Sequence, residues 1–412
     1  PTPLPGEALV PSGPVTPPPP DFNPTPPPYD PMGTEDEVAW TRKYIELATA
    51  VLNSSPSVEE ALDRLRAWSQ PGAPEADRLE TAVWASDYDV DDDGEVEWLM
   101  SLPLPGRGCG ITFCPTYLVL FEMENSLFRP VHLIREGVEG ILDVSNPQVR
   151  FVEDVNGDGV TEVVIQTEQC GAHTCFTSLI VGRWDGGAWQ DLAAQPITQA
   201  YTDLTIADLD DDGALEFVME GGTFGSVGAG LQRQRRLVFD WLDGAYRLVE
   251  EVPEDSDIAY YRILDANAAL AEGDLDAVLS LAGDVMAAPN FTEIPAPVEP
   301  VDKARIVSYA GVEVMLVHAL RDEPEAMAEV LAEVRAHELV TDTIYLEAAQ
   351  TLLDVYRETG DAVEACAQME EVVAADPERG VFFQWYGYGT ERMTLDQICP
   401  LDPPREGASP DM

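Results

Sequence analysis

A nine-residue acidic pattern occurs three times in this chain, and each copy runs directly into an apolar segment. The copies begin DVDDDGEVEWLM at Asp89, DVNGDGVTEVVI at Asp154 and DLDDDGALEFVM at Asp208. Their shared form is D-h-[DN]-x-D-G-x-x-E-h-h, with h apolar. Side-chain oxygen at positions 1, 3, 5 and 9 and a backbone carbonyl at 7 suit a hard cation that takes six to eight oxygen ligands. Glycine at position 6 permits the sharp turn such a loop needs. The candidate ligands are Asp89, Asp91, Asp93, Glu95 and Glu97; Asp154, Asn156, Asp158, Val160 and Glu162; and Asp208, Asp210, Asp212, Ala214 and Glu216. Glu95, Val160 and Ala214 enter through their carbonyls. The expectation is calcium, about three ions in a structural role. The middle site is the weakest, because Asn156 replaces a carboxylate. A solvated acidic turn without metal is the plain alternative.

An EF-hand loop starts in a similar way but needs a bidentate Glu at position 12 and flanking helices. Position 12 here is Met100, Ile165 or Met219, and the residues after Glu97, Glu162 and Glu216 are short apolar runs of strand type. The EF-hand is rejected. The loops resemble instead the calcium-binding turns of FG-GAP or VCBS-type repeats, the blade units of integrin-like β-propellers. Position 9 is Glu where that family commonly has Asp, so the last ligand reaches further or binds through water.

Aligned on these loops, the chain contains an internal repeat with starts 65 and 54 residues apart. A strand-like run precedes each loop, around Thr81–Ser86, Val149–Glu153 and Leu204–Ala207. A second strand follows, then a variable loop, then a third strand: TYLVLFEM from Thr116, TSLIVGRW from Thr177 and RRLVFDWL from Arg235. In copies two and three, Asp185-Gly186-Gly187 and Asp243-Gly244 turn the chain into a fourth short strand carrying Trp189 or Tyr246. Three blade-like units over 81–253 are too few to close a ring, since propellers have four to eight. An open arc with helices covering its edges is expected.

Lys plus Arg number 23 and Asp plus Glu 76, for a net charge of −53, and the only lysines are Lys43 and Lys303. Nucleic acid is excluded as a partner, because phosphate binding needs a basic surface. Bound divalent cations would relieve part of the self-repulsion. No stretch of about 18 apolar residues suits a membrane span.

Cys109–Cys114 and Cys170–Cys175 fall in the same variable loop of copies one and two. This equivalence predicts two local disulfides and an oxidising compartment, with zinc as the alternative for the pair that encloses His173. Cys366 and Cys399 remain to bond each other or to stay free.

Residues 1–33 hold 14 prolines and read as a disordered or polyproline II tether. The chain begins at Pro1, as an exported and processed product would, and a spacer there suggests a lipid-anchored tether. Residues 34–80 read as a helical hairpin: an amphipathic run from Glu35 to Leu52, then a helix N-capped by Ser57 with Glu60 as capping-box partner and continuing to Gly72. From Asp257 the period becomes helical, with hairpin turns at Gly273-Asp274, Arg321-Asp322 and Gly360-Asp361. The run YLEAAQTLLDVYRETGDAVEACAQMEEVVAADP resembles a tetratricopeptide repeat through Ala348, Tyr356, Gly360, Ala367 and Pro377. We read 256–378 as three such hairpins and 379–412 as an aromatic cap, around VFFQWYGYG from Val381, and a tail.

No metalloprotease, nucleophile-elbow, P-loop or C-x-x-C signature is present. The glycines of GGTFGSVGAG from Gly221 read as a hairpin loop. Arg233, Arg235 and Arg236 form one basic spot that pairs with nearby carboxylates. The fold class expected is α+β multidomain: a helical hairpin, three antiparallel blade-like repeats with calcium loops, and tetratricopeptide-like helices. The function expected is a non-enzymatic, calcium-stabilised binding or scaffold protein of a bacterial envelope, secreted or anchored at the cell surface. Its expected partner is an envelope or cell-surface protein, and membrane contact is expected only through an N-terminal lipid anchor. The alternative is a carbohydrate-active or polysaccharide-binding protein.

Overall fold

The computed structural model describes residues 18, 19, 22, 24, 37–68, 82–104, 114–135, 144–292, 300–341, 343–376, 387–394 and 397–401. Most of the expected tether, Cys109 and most of the aromatic run from Val381 lie outside the described residues. Among the described residues the chain is mixed α and β, with three antiparallel sheets and eight helices. It divides into two compact units: Pro1–Gly225 with Gln234–Pro253, and Ser226–Arg233 with Glu254–Met412.

In the first unit, α1 (Glu37–Ser54) and α2 (Val58–Arg66) precede three sheets. The first sheet contains β1 (Ala85–Tyr88), β2 (Glu97–Pro103), β3 (Pro115–Glu124), β4 (Leu127–Ile134) and β5 (Val144–Ser145). The second contains β6 (Gln148–Glu153), β7 (Glu162–Cys170), β8 (Cys175–Trp184), β9 (Trp189–Asp191) and β10 (Ile197–Ala200). The third contains β11 (Asp203–Ala207), β12 (Glu216–Gly221), β13 (Arg235–Leu242) and β14 (Ala245–Pro253), in that order.

Side-chain alternation explains how the sheets stack. On the first sheet, Met100, Leu102, Tyr117, Val119 and Phe121 meet Tyr44, Ile45, Ala48, Val51 and Leu65 of the two helices. The opposite face, Leu99, Leu118, Leu120 and Val131, meets Val163, Ile165, Ile180 and Trp184 of the second sheet. The other side of the second sheet, Val164, Leu179 and Val181, packs on Phe217, Met219, Phe239 and Tyr246 of the third. Central strands buried on both faces must be apolar at nearly every position, which is why these runs read as continuous rather than alternating.

Local signals set the helix ends. Ser57 is extended at φ −149° and accepts the Glu60 N–H at 3.2 Å, as its N-cap role requires. The helix after it closes at Arg66, short of the expected Gly72. Asn53 ties α1 to β4, donating to the Phe128 carbonyl at 2.9 Å and accepting its N–H at 2.7 Å. The first sheet also has a full fourth strand that the sequence reading left out. Its turn is Asn125-Ser126, with φ values of 52° and 64°, so two non-glycine residues take the left-handed conformation that Asp-Gly takes elsewhere.

The second unit contains α3 (Ala259–Glu272), α4 (Leu275–Ala287), α5 (Pro300–Leu320), α6 (Pro324–Ala336), α7 (Ile344–Thr359) and α8 (Ala362–Ala374). Gly273 and Gly360 end helices in the left-handed conformation, at φ 81° and 69°, and Asp274 and Asp361 cap the helices that follow. The Tyr356 hydroxyl donates to Asp322 Oδ1 at 3.0 Å, joining the last hairpin to the turn of the one before it. Gly311 on α5 allows a close approach, since a Cβ there would lie 2.2 Å from Val334 Cγ2. Within the core, burial holds the Glu313 carboxyl well above its usual range. The glycine segment expected as a plain hairpin loop contributes Ser226–Arg233 to this unit, where Leu231 joins the helical core. Arg233 bonds Asp265 Oδ1 at 2.7 Å, and Cys366 on α8 is bonded to Cys399.

Candidate metal centre

The three acidic loops join the first two strands of each sheet, β1 to β2, β6 to β7 and β11 to β12. Their backbone is the same in every copy. Position 6 is Gly94, Gly159 or Gly213, at φ 88°, 84° and 95°, and position 4 is Asp92, Gly157 or Asp211, at φ 58°, 73° and 63°. Side chains with a Cβ rarely accept such values, and Asp and Asn accept them best. Two left-handed residues with one residue between them fold each segment inward.

The side chains then bond their own turns. The position-1 carboxylates of Asp89, Asp154 and Asp208 accept from the position-6 glycine N–H at 3.1, 2.9 and 3.1 Å. The position-5 carboxylates of Asp93, Asp158 and Asp212 accept from the N–H of Glu95, Val160 and Ala214 at 2.7, 2.9 and 2.8 Å. Position 9 opens the second strand, where Glu97, Glu162 and Glu216 are buried and accept the position-2 N–H of Val90, Val155 and Leu209 at 3.1, 3.0 and 2.6 Å. The three loops also touch in series. Thr161 Oγ1 donates to Asp92 Oδ2 at 2.8 Å, and Leu215 N donates to the Val155 carbonyl at 2.8 Å.

These bonds leave negative charge uncompensated in the outer loops. Ligand atoms of Asp89, Asp91 and Glu97 lie within 4.8 Å of one another, and so do those of Asp208, Asp210 and Glu216. Asp89 Oδ1, Asp91 Oδ1 and Glu216 Oε1 are buried with no hydrogen-bond partner. Burial is the main force raising Glu97 and Glu162 to about 7, and neighbouring aspartates add to it while the position-2 N–H of each loop opposes it. Glu216 and Asp91 are raised as well, again mainly by burial. An all-oxygen set of this kind, short of counter-charge, fits a hard cation. In the middle loop, position 3 is Asn156, whose Nδ2 donates to Glu162 Oε1 at 3.0 Å, and Arg183 Nη1 lies 3.0 Å from Asp158 Oδ2. Sequence reasoning missed Arg183, because only the strand register brings it to the loop.

The other expected sites have plain outcomes. Cys170 and Cys175 are disulfide-bonded to each other, which removes them as zinc ligands. Cys114 is also disulfide-bonded, while its expected partner Cys109 is outside the described residues. Arg235 pairs with Glu251 at 2.6 Å and Arg236 pairs with Glu250, so the basic spot is matched by acids. No described helix is long and apolar enough to cross a membrane. Comparison with known protein families and with curated proteins finds no match for this chain.

Proposed function

We propose that this chain is a non-enzymatic, extracytoplasmic binding or scaffold protein whose β repeats, akin to FG-GAP or VCBS-type blades, are held in shape by calcium. The observation that carries the reading is the pair of carboxylate clusters at Asp89, Asp91 and Glu97 and at Asp208, Asp210 and Glu216, each closed by a buried glutamate and each holding at least one buried oxygen without a hydrogen-bond partner. Clustered like charges repel one another without a counter-ion, and a calcium ion supplies two positive charges to an all-oxygen set. The disulfides Cys170–Cys175 and Cys366–Cys399 favour an oxidising compartment. The tetratricopeptide-like hairpins of the second unit suit capture of a protein segment, for which an envelope or cell-surface protein is the proposed partner.

Calorimetry on chelated protein is the test. Calcium should bind with a dissociation constant of about 0.1 to 1 mM, the range of extracellular modules. Absence of any binding heat or thermal stabilisation by calcium contradicts the reading.

A further inference from the structure

The three loops are alike in backbone and unlike in charge. Their nine residues hold six acids in the first copy, three in the middle and five in the last. The strand register widens this difference. Trp98 pairs with Phe121, Val163 with Gly182 and Phe217 with Phe239, so one step further the third strand sets Glu122, Arg183 and Asp240 opposite Glu97, Glu162 and Glu216. The outer repeats thus add another acid beside an acidic loop, and Glu122 is only loosely paired with Arg129 at 3.8 Å. The middle repeat adds a guanidinium.

That guanidinium is fixed in place. Arg183 Nε donates to Gln190 Oε1 at 2.9 Å while Nη1 donates to Asp158 Oδ2 at 3.0 Å. Inside the loop, both oxygens of Glu162 are occupied, one by the Val155 N–H at 3.0 Å and one by Asn156 Nδ2 at 3.0 Å. An ion entering there would break the Asn156 bond and approach a fixed positive charge. Neither obstacle exists in the outer loops, where Asp89 Oδ1, Asp91 Oδ1 and Glu216 Oε1 have no partner.

We infer that the chain takes two calcium ions, in the first and third loops, and that Arg183 and Asn156 hold the middle loop in place of an ion. This inference rests on the calcium reading above and narrows the three ions suggested by the sequence pattern. The middle loop then keeps its shape without metal. Because it bonds both neighbours, through Thr161 to Asp92 and through Val155 to Leu215, it is a fixed support between two calcium-dependent ones.

Equilibrium dialysis of the full chain against calcium, with metal counted by mass spectrometry, tests it. The expected count is two ions per chain. Asp91→Asn and Asp210→Asn should each weaken one of them at least tenfold, and Asn156→Ala should leave both in place. The double variant Asn156→Asp, Arg183→Glu gives the middle loop the charge of its neighbours and should raise the count to three. Three ions in the unaltered chain, or loss of one in Asn156→Ala, would overturn the inference while leaving the calcium reading intact. A folded double variant that still holds two would overturn it as well. If the double variant does not fold, the single variants decide. No bound calcium in the unaltered chain would instead remove the calcium reading itself.

Discussion

At the scale of single residues, the loops place glutamates where burial and neighbouring aspartates oppose ionisation. Glu97 and Glu162 ionise near 4.5 when unperturbed and at about 7 in the folded chain. Folding without metal therefore takes up protons between these values, so these groups favour the folded state below pH 4.5 and that advantage is lost as pH rises toward 7. At Glu97, calcium selects the ionised form and reverses the trend. Urea midpoints measured in calcium and in chelator should nearly coincide at pH 4.5 and separate progressively up to pH 8. An equal separation at both ends of that range contradicts the assignment of the Glu97 carboxylate to the ion. The loops themselves were legible in the sequence because every ligand lies within nine consecutive residues. Arg183 was not, because it follows Asp158 by 25 residues and reaches it only through the pairing of β7 with β8.

At the scale of elements, buried contacts and turn chemistry decide where strands and helices stop. The Asn53 amide both donates to and accepts from the Phe128 backbone, so Asn53→Ala leaves a strand carbonyl and N–H at the helix–sheet junction without their partner. The expected cost is about 1 to 3 kcal/mol in urea unfolding. A change within experimental error would place the junction's stability in the apolar contacts of Tyr44 and Ile45 instead. Helix hairpins were readable from Gly273-Asp274 and Gly360-Asp361, since glycine stops one helix and aspartate starts the next. The turn at Asn125-Ser126 carries no glycine, and so the fourth strand of the first sheet gave no signal. The contribution of Ser226–Arg233 to the helical unit was equally hidden, because Leu231 finds its apolar partners on helices that begin 28 residues later, at Ala259.

At the scale of the whole molecule, a net charge of −53 is spread over two units that differ in how they tolerate it. The β unit concentrates acids in two loops that hold buried oxygens without partners, while the helical unit has no comparable cluster among its described residues. Calcium removal should therefore act locally, and hydrogen exchange compared in calcium and in chelator tests this most directly. Chelation should lower protection at 89–97 and 208–216 and in the strands beside them, β1, β2, β11 and β12, while 154–162 and helices α3 to α8 stay protected. Identical protection in both conditions, or a uniform loss across both units, would contradict a structure held in shape by calcium at its outer loops.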